Sequence, residues 1–320
     1  MRAAGVFFAL VFAASGAAGQ PEHPLAKDHP GAWRSGPPVK PDVSRAVAGD
    51  ERAAAVAWVN ELVELMHRTA TLAPQAGFEV VPHANIALEN LDRSDSKRPA
   101  YVTAGIVLNL APYEKTARGV EGNERDSAIT LQIKVNDVSP VGGTQMTFGD
   151  AEGHFIQDPS VESGTAHGLP VFEEGNGDKW VIVRRNDAPF YAPVSRERYL
   201  RVLAQKTEEE VNTLQARRAR VVAFVPAQAQ ALDDHIADLQ KKLADTKQAL
   251  ASVDRSAPAD VDGTPVFYIN PALMDSRLPR SAPQIVAVSI RANEDLFPGL
   301  ADAIDKEIDW AALKAFVSRK

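Results

Sequence analysis

Residues 195–253 carry two apolar stripes that mirror each other about one proline, and this pattern narrows the folds open to the chain more than any other feature. In the second half, Leu232, Ile236, Leu239, Leu243, Thr246, Leu250 and Val253 follow at alternating steps of four and three, the spacing of a helical seam. The first half carries Leu200, Leu203, Thr207, Val211, Leu214 and Val221. Between them stands Pro226, whose ring in a continuous helix would clash with the carbonyl of Val222 and remove one hydrogen bond. Folding the chain back there pairs Leu200 with Val253, Leu203 with Leu250, Thr207 with Thr246, Leu214 with Leu239 and Val221 with Leu232. The position numbers of each pair sum to 453, so the stripes coincide along their length.

The charges follow the same mirror. Glu208, Glu209 and Glu210 oppose Lys241, Lys242 and Lys247, while Arg217, Arg218 and Arg220 oppose Asp233, Asp234 and Asp238. Each exposed pair adds only about 0–1 kcal/mol, but together they select orientation. Arg217 facing Ile236 interrupts the seam. The competing arrangement is one kinked helix of about 60 residues, whose ends would lie about 90 Å apart and strand residues 265–320 far from the rest. An antiparallel, coiled-coil-like helical hairpin over 195–255, capped at Ser195 and projecting about 40 Å, is therefore expected.

The N-terminus sets the address. Arg2 precedes an apolar run from Ala3 to Ala14, and the small residues Ser15-Gly16-Ala17-Ala18-Gly19 lead to the polar Gln20-Pro21-Glu22. That order is what a signal peptidase reads, with cleavage after Ala18 or after Gly19 both open. The apolar run is about 12 residues, against the ~20 of a spanning helix. Residues 1–19 are thus expected to be a signal peptide, and the mature chain to be exported without a membrane span, to the periplasm or the exterior of a bacterium. The chain has no cysteine, which excludes disulfides, thiolate metal sites and thiol nucleophiles together. Its net charge of −7, or −8 without Arg2, argues against nucleic-acid binding, which needs clustered Lys and Arg to neutralise phosphates.

Residues 20–45, with Pro21, Pro24, Pro30, Pro37, Pro38 and Pro41, read as a disordered linker in which His23 and His29 are solvated. A helix is expected from about Asp50, a candidate cap, to Leu72, with Val56, Val59, Leu62, Val63 and Met66 on one face and Pro74 and Gly77 ending it. Residues 78–192 read as β-rich. Short strands are expected at Phe78–Val81 and Ile86–Leu91, and longer ones at Tyr101–Leu110 and Ala128–Val135, with a loop over 114–127. Leu169–Glu173 and Lys179–Arg185 flank Gly175-Asn176-Gly177-Asp178, a hairpin turn sequence. Strands at Val266–Ile269 and Gln284–Ile290 and helices at Leu296–Ile308 and Asp309–Phe316 close the chain. The fold class expected is α+β: a mixed or antiparallel sheet body built from 46–194 and 260–320, with the hairpin inserted.

No nucleophile-elbow, zinc-protease, phosphate-loop or dinucleotide motif is present. Gly142-Gly143 lacks the following helix that a phosphate cradle needs. His67 lies beside the apolar face of the first helix, and His83, His154 and His167 fall in the β-rich region. His154 stands near Asp150, Glu152 and Asp158, a donor set open to a metal or to solvent. His167 has Ser163 and Thr165 nearby and lacks an acid partner in sequence. The acidic turn Glu173-Glu174-Gly175-Asn176-Gly177-Asp178 is too short for a calcium loop. Arg184-Arg185-Asn186-Asp187 with Trp180, Phe190 and Tyr191 is the best candidate recognition patch.

The run from Trp180-Val181-Ile182-Val183 through Pro189-Phe190-Tyr191-Ala192-Pro193 to Tyr199-Leu200 resembles a segment of uncharacterised exported bacterial proteins, in which β structure leads into a long helix. The resemblance covers about 20 residues and implies that junction alone. No catalytic, cofactor-binding or metal-binding residue is assigned. The expected function is binding of a protein or small-molecule partner through the hairpin. The alternative is an envelope hydrolase whose site forms only in three dimensions around His154 or His167.

Overall fold

The structure, a computed structural model, describes residues 24–72, 76–91, 99–125, 127–174, 177–222, 224–293 and 297–319. The expected signal segment, His23, Pro74 and the Gly175-Asn176 step lie outside these residues. In chain order the elements are β1 (Ala32–Trp33), β2 (Asp42–Val43), α1 (Gly49–His67), β3 (Phe78–Asn90), β4 (Ala100–Thr116), β5 (Gly119–Gly122), β6 (Ile129–Val135) and β7 (Thr144–Asp150). They continue with β8 (Gly153–Asp158), β9 (Glu162–Ala166), β10 (Leu169–Glu173), β11 (Lys179–Arg184) and β12 (Tyr191–Pro193), then α2 (Arg196–Val221) and α3 (Pro226–Ala251). The chain closes through β13 (Asp260–Val261), β14 (Thr264–Pro265), β15 (Phe267–Ile269), β16 (Ile285–Ala292), α4 (Leu300–Glu307) and α5 (Trp310–Val317).

The fold is α+β. A ten-stranded sheet runs β1-β3-β4-β6-β16-β11-β10-β9, with β2 also on β3 and β5 on β4. Alternation decides its faces. Val102, Ala104, Ile106, Leu108 and Leu110 of β4, Ile129, Leu131, Ile133 and Val135 of β6, and Val286 and Val288 of β16 form the core with the helices. Against them pack Trp58, Val59, Leu62, Val63 and Met66 of α1, Ile304 of α4, and Leu313 and Phe316 of α5. The opposite face of β10, β11 and β16 offers Phe172, Trp180, Ile182, Ile285 and Ala287 to a second sheet, β12-β15-β8-β7, which contributes Ile156 and Ile269. The result is three layers: helices, large sheet, small sheet. Asn136 ties the large sheet together where β6 ends. Its backbone takes φ 53°, and its amide donates to the carbonyls of Val102 and Ala282 while its oxygen accepts from Gln284 and Ile285.

Several expectations are corrected. Residues 24–45 are not a disordered linker along their described length. β1 and β2 lie parallel to β3, with Trp33 beside Val80 and Val43 beside Ile86. Ala26 and Val39 are buried, and the Trp33 indole donates to the Leu72 carbonyl at 2.9 Å. Prolines forbid long strands but not two-residue pairings anchored by a few large side chains. The two short strands expected at 78–91 are one, because Pro82 does not break it. Val80 and Ile86 turn their carbonyls toward the β1–β2 side, so Pro82 directs its missing N–H there too, into the gap between those two short strands. Residues 114–127 are not all loop: Tyr113–Thr116 pairs with β5. The strands β7, β8, β9 and β12 carry no clear alternation and went unread. Helix α1 ends at His67, and Asp50 lies inside its first turn rather than capping it.

The two helices of residues 195–253 are separate and adjacent, broken between Val221 and Pro226, with Pro226 in the first turn of α3. Ser195 caps α2 by accepting from the Arg198 amide at 3.3 Å. Arg218 pairs with Asp233 at 2.8 Å and Glu208 with Lys247 at 3.5 Å, each within two residues of its mirror position. Those pairs require antiparallel helices. Thr207, Val211, Ile236 and Thr246 are buried in the seam. The two threonine hydroxyls donate to the carbonyls of Leu203 and Lys242 in their own helices, so their burial leaves no polar group unpaired.

Leu62 lies wholly inside the interface of α1 with the large sheet. Leu62→Ala is expected to cost about 2–5 kcal/mol of stability, read by urea unfolding. Val161→Ala, at an exposed position, is expected to stay within about 0.5 kcal/mol.

Candidate functional site

The root of the helical arm is fastened at one side chain. Arg198, in the first turn of α2, forks onto Asp150 at the end of β7, with Nε and Nη2 each 2.6 Å from a carboxylate oxygen. Its third nitrogen reaches Glu152 at 3.0 Å, and the guanidinium lies 4.1 Å from the Tyr268 ring centre and 5.4 Å from that of Phe155. Burial opposes the charge of Arg198, but the Asp150 bonds outweigh it and hold the guanidinium above its ordinary pKa. Below this clamp, Val202 of α2 joins Phe155, Val194, Ala259 and Val266 in a small core of its own. The chain leaves and re-enters the body at one place: Ser195 bridges to Pro258, and Arg196 donates its amide to the Ala257 carbonyl at 2.8 Å.

The same contacts engage the neighbours of His154. Two of the three acids near it in sequence, Asp150 and Glu152, are spent on Arg198. Among the described residues no group of three His, Asp or Glu side chains is placed to hold a metal ion.

The far end of the arm has the opposite character. Five large apolar side chains are exposed among the described residues, and three of them, Val222, Phe224 and Val225, cluster at the turn between α2 and α3. Phe224 is 84 % exposed. Exposed apolar side chains that cluster, unlike single scattered ones, mark a surface that can interact.

His167 occupies a third location. Ala166 pairs with Leu169, so His167 and Gly168 form a two-residue turn with φ of 55° and 68°. Such turns require positive φ at both positions, and glycine meets that demand at the second. The His167 ring is stacked on Trp310 with centres 4.8 Å apart, and Nε2 lies 2.8 Å from Asp305 Oδ2. Lys314 donates to the His167 carbonyl at 3.2 Å. The acid missing from the sequence near His167 is therefore supplied by α4, 138 residues away. Beside this pair is an open cleft of about 410 Å³, with Ser163, Thr165, Glu173, Asp302 and Asp305 in its lining. The Ser163 hydroxyl donates to the Val171 carbonyl at 3.2 Å, and among the described residues no hydroxyl hydrogen-bonds the His167 ring. The cleft can hold a ligand and a proton, but no nucleophile is assembled there.

The candidate recognition patch is partly engaged within the fold, while Arg185 and Asn186 also line an open cleft of about 420 Å³. Arg184 donates to the Ala188 carbonyl at 2.6 Å, Arg185 to the carbonyls of Val317 and Arg319, and Asn186 to those of Ala272 and Leu273. Trp180 is 1 % exposed, with Lys134 Nζ 4.5 Å from its ring centre. Burial pushes the Tyr191 hydroxyl up to about 12, and that group donates to the Val141 carbonyl. These residues seal the join between the two sheets and the C-terminal helix. Four further histidines among the described residues are likewise engaged: His29 meets the Tyr113 ring edge-on at 4.4 Å, His67 meets Trp33 at 4.8 Å, His83 lies 3.2 Å from Glu124 and His235 lies 3.8 Å from Glu210. Comparison with protein-family models, with curated proteins and with solved structures gave no match.

Arg198→Ala leaves the Asp150 carboxylate without its fork. It is expected to cost about 1.5–3 kcal/mol in urea unfolding and to raise hydrogen exchange over residues 196–203. Unchanged exchange there would show that the small apolar core alone fastens the arm.

Proposed function

We propose that the chain is an exported binding protein, working in the periplasm or outside a bacterial cell, in which the body anchors a helical arm and the arm's tip makes the contact. The observation that carries this reading is Phe224, 84 % exposed at the end of a two-helix projection and flanked by the exposed Val222 and Val225. The alternating seam and the flanking ion pairs support reading the arm as a short antiparallel coiled coil. Export is supported by the order of charge, apolar run and small residues over 1–19, and no described helix is long and apolar enough to cross a membrane. Two helices fastened at the root suit a spacer: they hold an apolar group away from a body whose own surface is polar.

A photo-crosslinking residue in place of Phe224, in the producing cell, is expected to give adducts on irradiation. The same residue in place of Val161, exposed on the body, is expected to give none. Adducts from position 161 and none from 224 would refute the arm as the contact element.

A second reading is favoured by one observation, the His167–Asp305 pair at the mouth of an open cleft. There the chain would be a hydrolase in which His167 moves a proton while Asp305 orients its ring. Turnover of short-chain nitrophenyl esters is then expected to fall roughly 10²–10⁴-fold in His167→Ala. Absent turnover in the unaltered protein, or an equal rate in the variant, would end this reading.

A further inference from the structure

We infer that the partner met by the arm's tip is an anionic phospholipid surface. The inference rests on the arm being the contact element and names what it contacts.

The argument starts from charge. The chain carries a net −7, yet from Val211 to Leu232 it holds Arg217, Arg218 and Arg220 and no Asp or Glu. Acids return at Glu208, Glu209 and Glu210 on α2, behind the arginines, and at Asp233 and Asp234 on α3, level with them. Arg218 is engaged by Asp233. Arg217 and Arg220 are exposed and have no ion-pair partner among the described residues. The distal end of an acidic molecule thus carries three arginines against two aspartates, a small positive excess beside an apolar point.

Depth fits as well. Arg217 and Arg220 lie at the distal end of α2, which stops at Val221, and so stand just behind the turn that carries Phe224. An apolar group that enters the acyl boundary by about 5–10 Å leaves cations set just behind it near the phosphates. The arginine stems add reach along the axis. Phenylalanine and valine supply the inserted volume, and the arm supplies the stand-off.

Area argues against a protein face. A stable interface buries about 800 Å² on each partner, which one phenyl ring and two valines cannot furnish. A bilayer asks for no matching pocket: it accepts any apolar point and rewards each cation beside it.

The test is co-sedimentation of the full mature chain with vesicles of equal parts phosphatidylglycerol and phosphatidylcholine, against vesicles of phosphatidylcholine alone. The unaltered protein is expected to sediment with the first and not the second, and to be released as NaCl rises from about 0.1 to 0.5 M. Phe224→Ser is expected to lower partitioning at least about tenfold. Arg217→Gln and Arg220→Gln are expected to lower it about fivefold each, and Val161→Ser to leave it unchanged. Equal binding to both vesicle types, or partitioning unmoved by Phe224→Ser, overturns the inference. Polypeptide adducts from position 224 without vesicle binding overturn it while leaving the arm as contact element. A concentration-dependent dimer abolished by Phe224→Ser, again without vesicle binding, overturns it in favour of a second copy of the chain. Neither adducts at 224 nor vesicle binding would remove both the inference and the reading it rests on.

Discussion

The fork of Arg198 on Asp150 is the interaction on which the division into body and arm depends. It joins the first turn of α2 to the end of β7 through two charge-assisted bonds of 2.6 Å, and the aromatic rings of Tyr268 and Phe155 keep water from loosening them. An isolated pair of helices of this length, rich in charge and sparing in apolar residues, has little reason to hold a fixed direction. Anchoring at the root supplies it. The same guanidinium also reaches Glu152, so two of the acids near His154 in sequence are tied to the arm's root.

The large sheet contributes rigidity by dividing its two faces between different partners. Even-numbered residues of β4 and odd-numbered residues of β6 face α1, α4 and α5, while the reverse of β10, β11 and β16 receives the small sheet that carries the arm. The arm is therefore mounted on a layer that is itself packed against the core, and the cleft beside His167 lies at the far edge of the same sheet, between β9 and the closing helices. Tip and cleft belong to different parts of the molecule.

Much of this was legible in the sequence where periodicity and chemistry agree. The alternation over 129–135 is clean because β6 is central and buries every second residue. The mirrored seam about Pro226 is legible because each helix presents one narrow face to the other, and the ion pairs fall within two residues of where the mirror puts them. What stayed hidden was long-range or irregular. The pairing of residues 32–33 and 42–43 with β3 rests on two-residue contacts too short to leave a period. Pro82 lies within β3 and is harmless there because of the side it faces, which spacing alone does not show. The acid that meets His167 is 138 residues away, and no spacing rule reaches that far. In the arginine and aromatic cluster at 184–191, the bonds from Arg184 and Asn186 to backbone carbonyls leave no trace in the sequence either.

The length of α3, 26 residues, makes the arm a lever of about 39 Å. A tilt of 5° at its pivot sweeps the end through roughly 3 Å, comparable with the width of one side chain. Small elastic play at the mounting therefore becomes lateral search at the extremity, with neither helix bending. The stiffness of the mounting, the guanidinium fork together with the small apolar core and the backbone bridge at its root, thus sets how far the aromatic end moves.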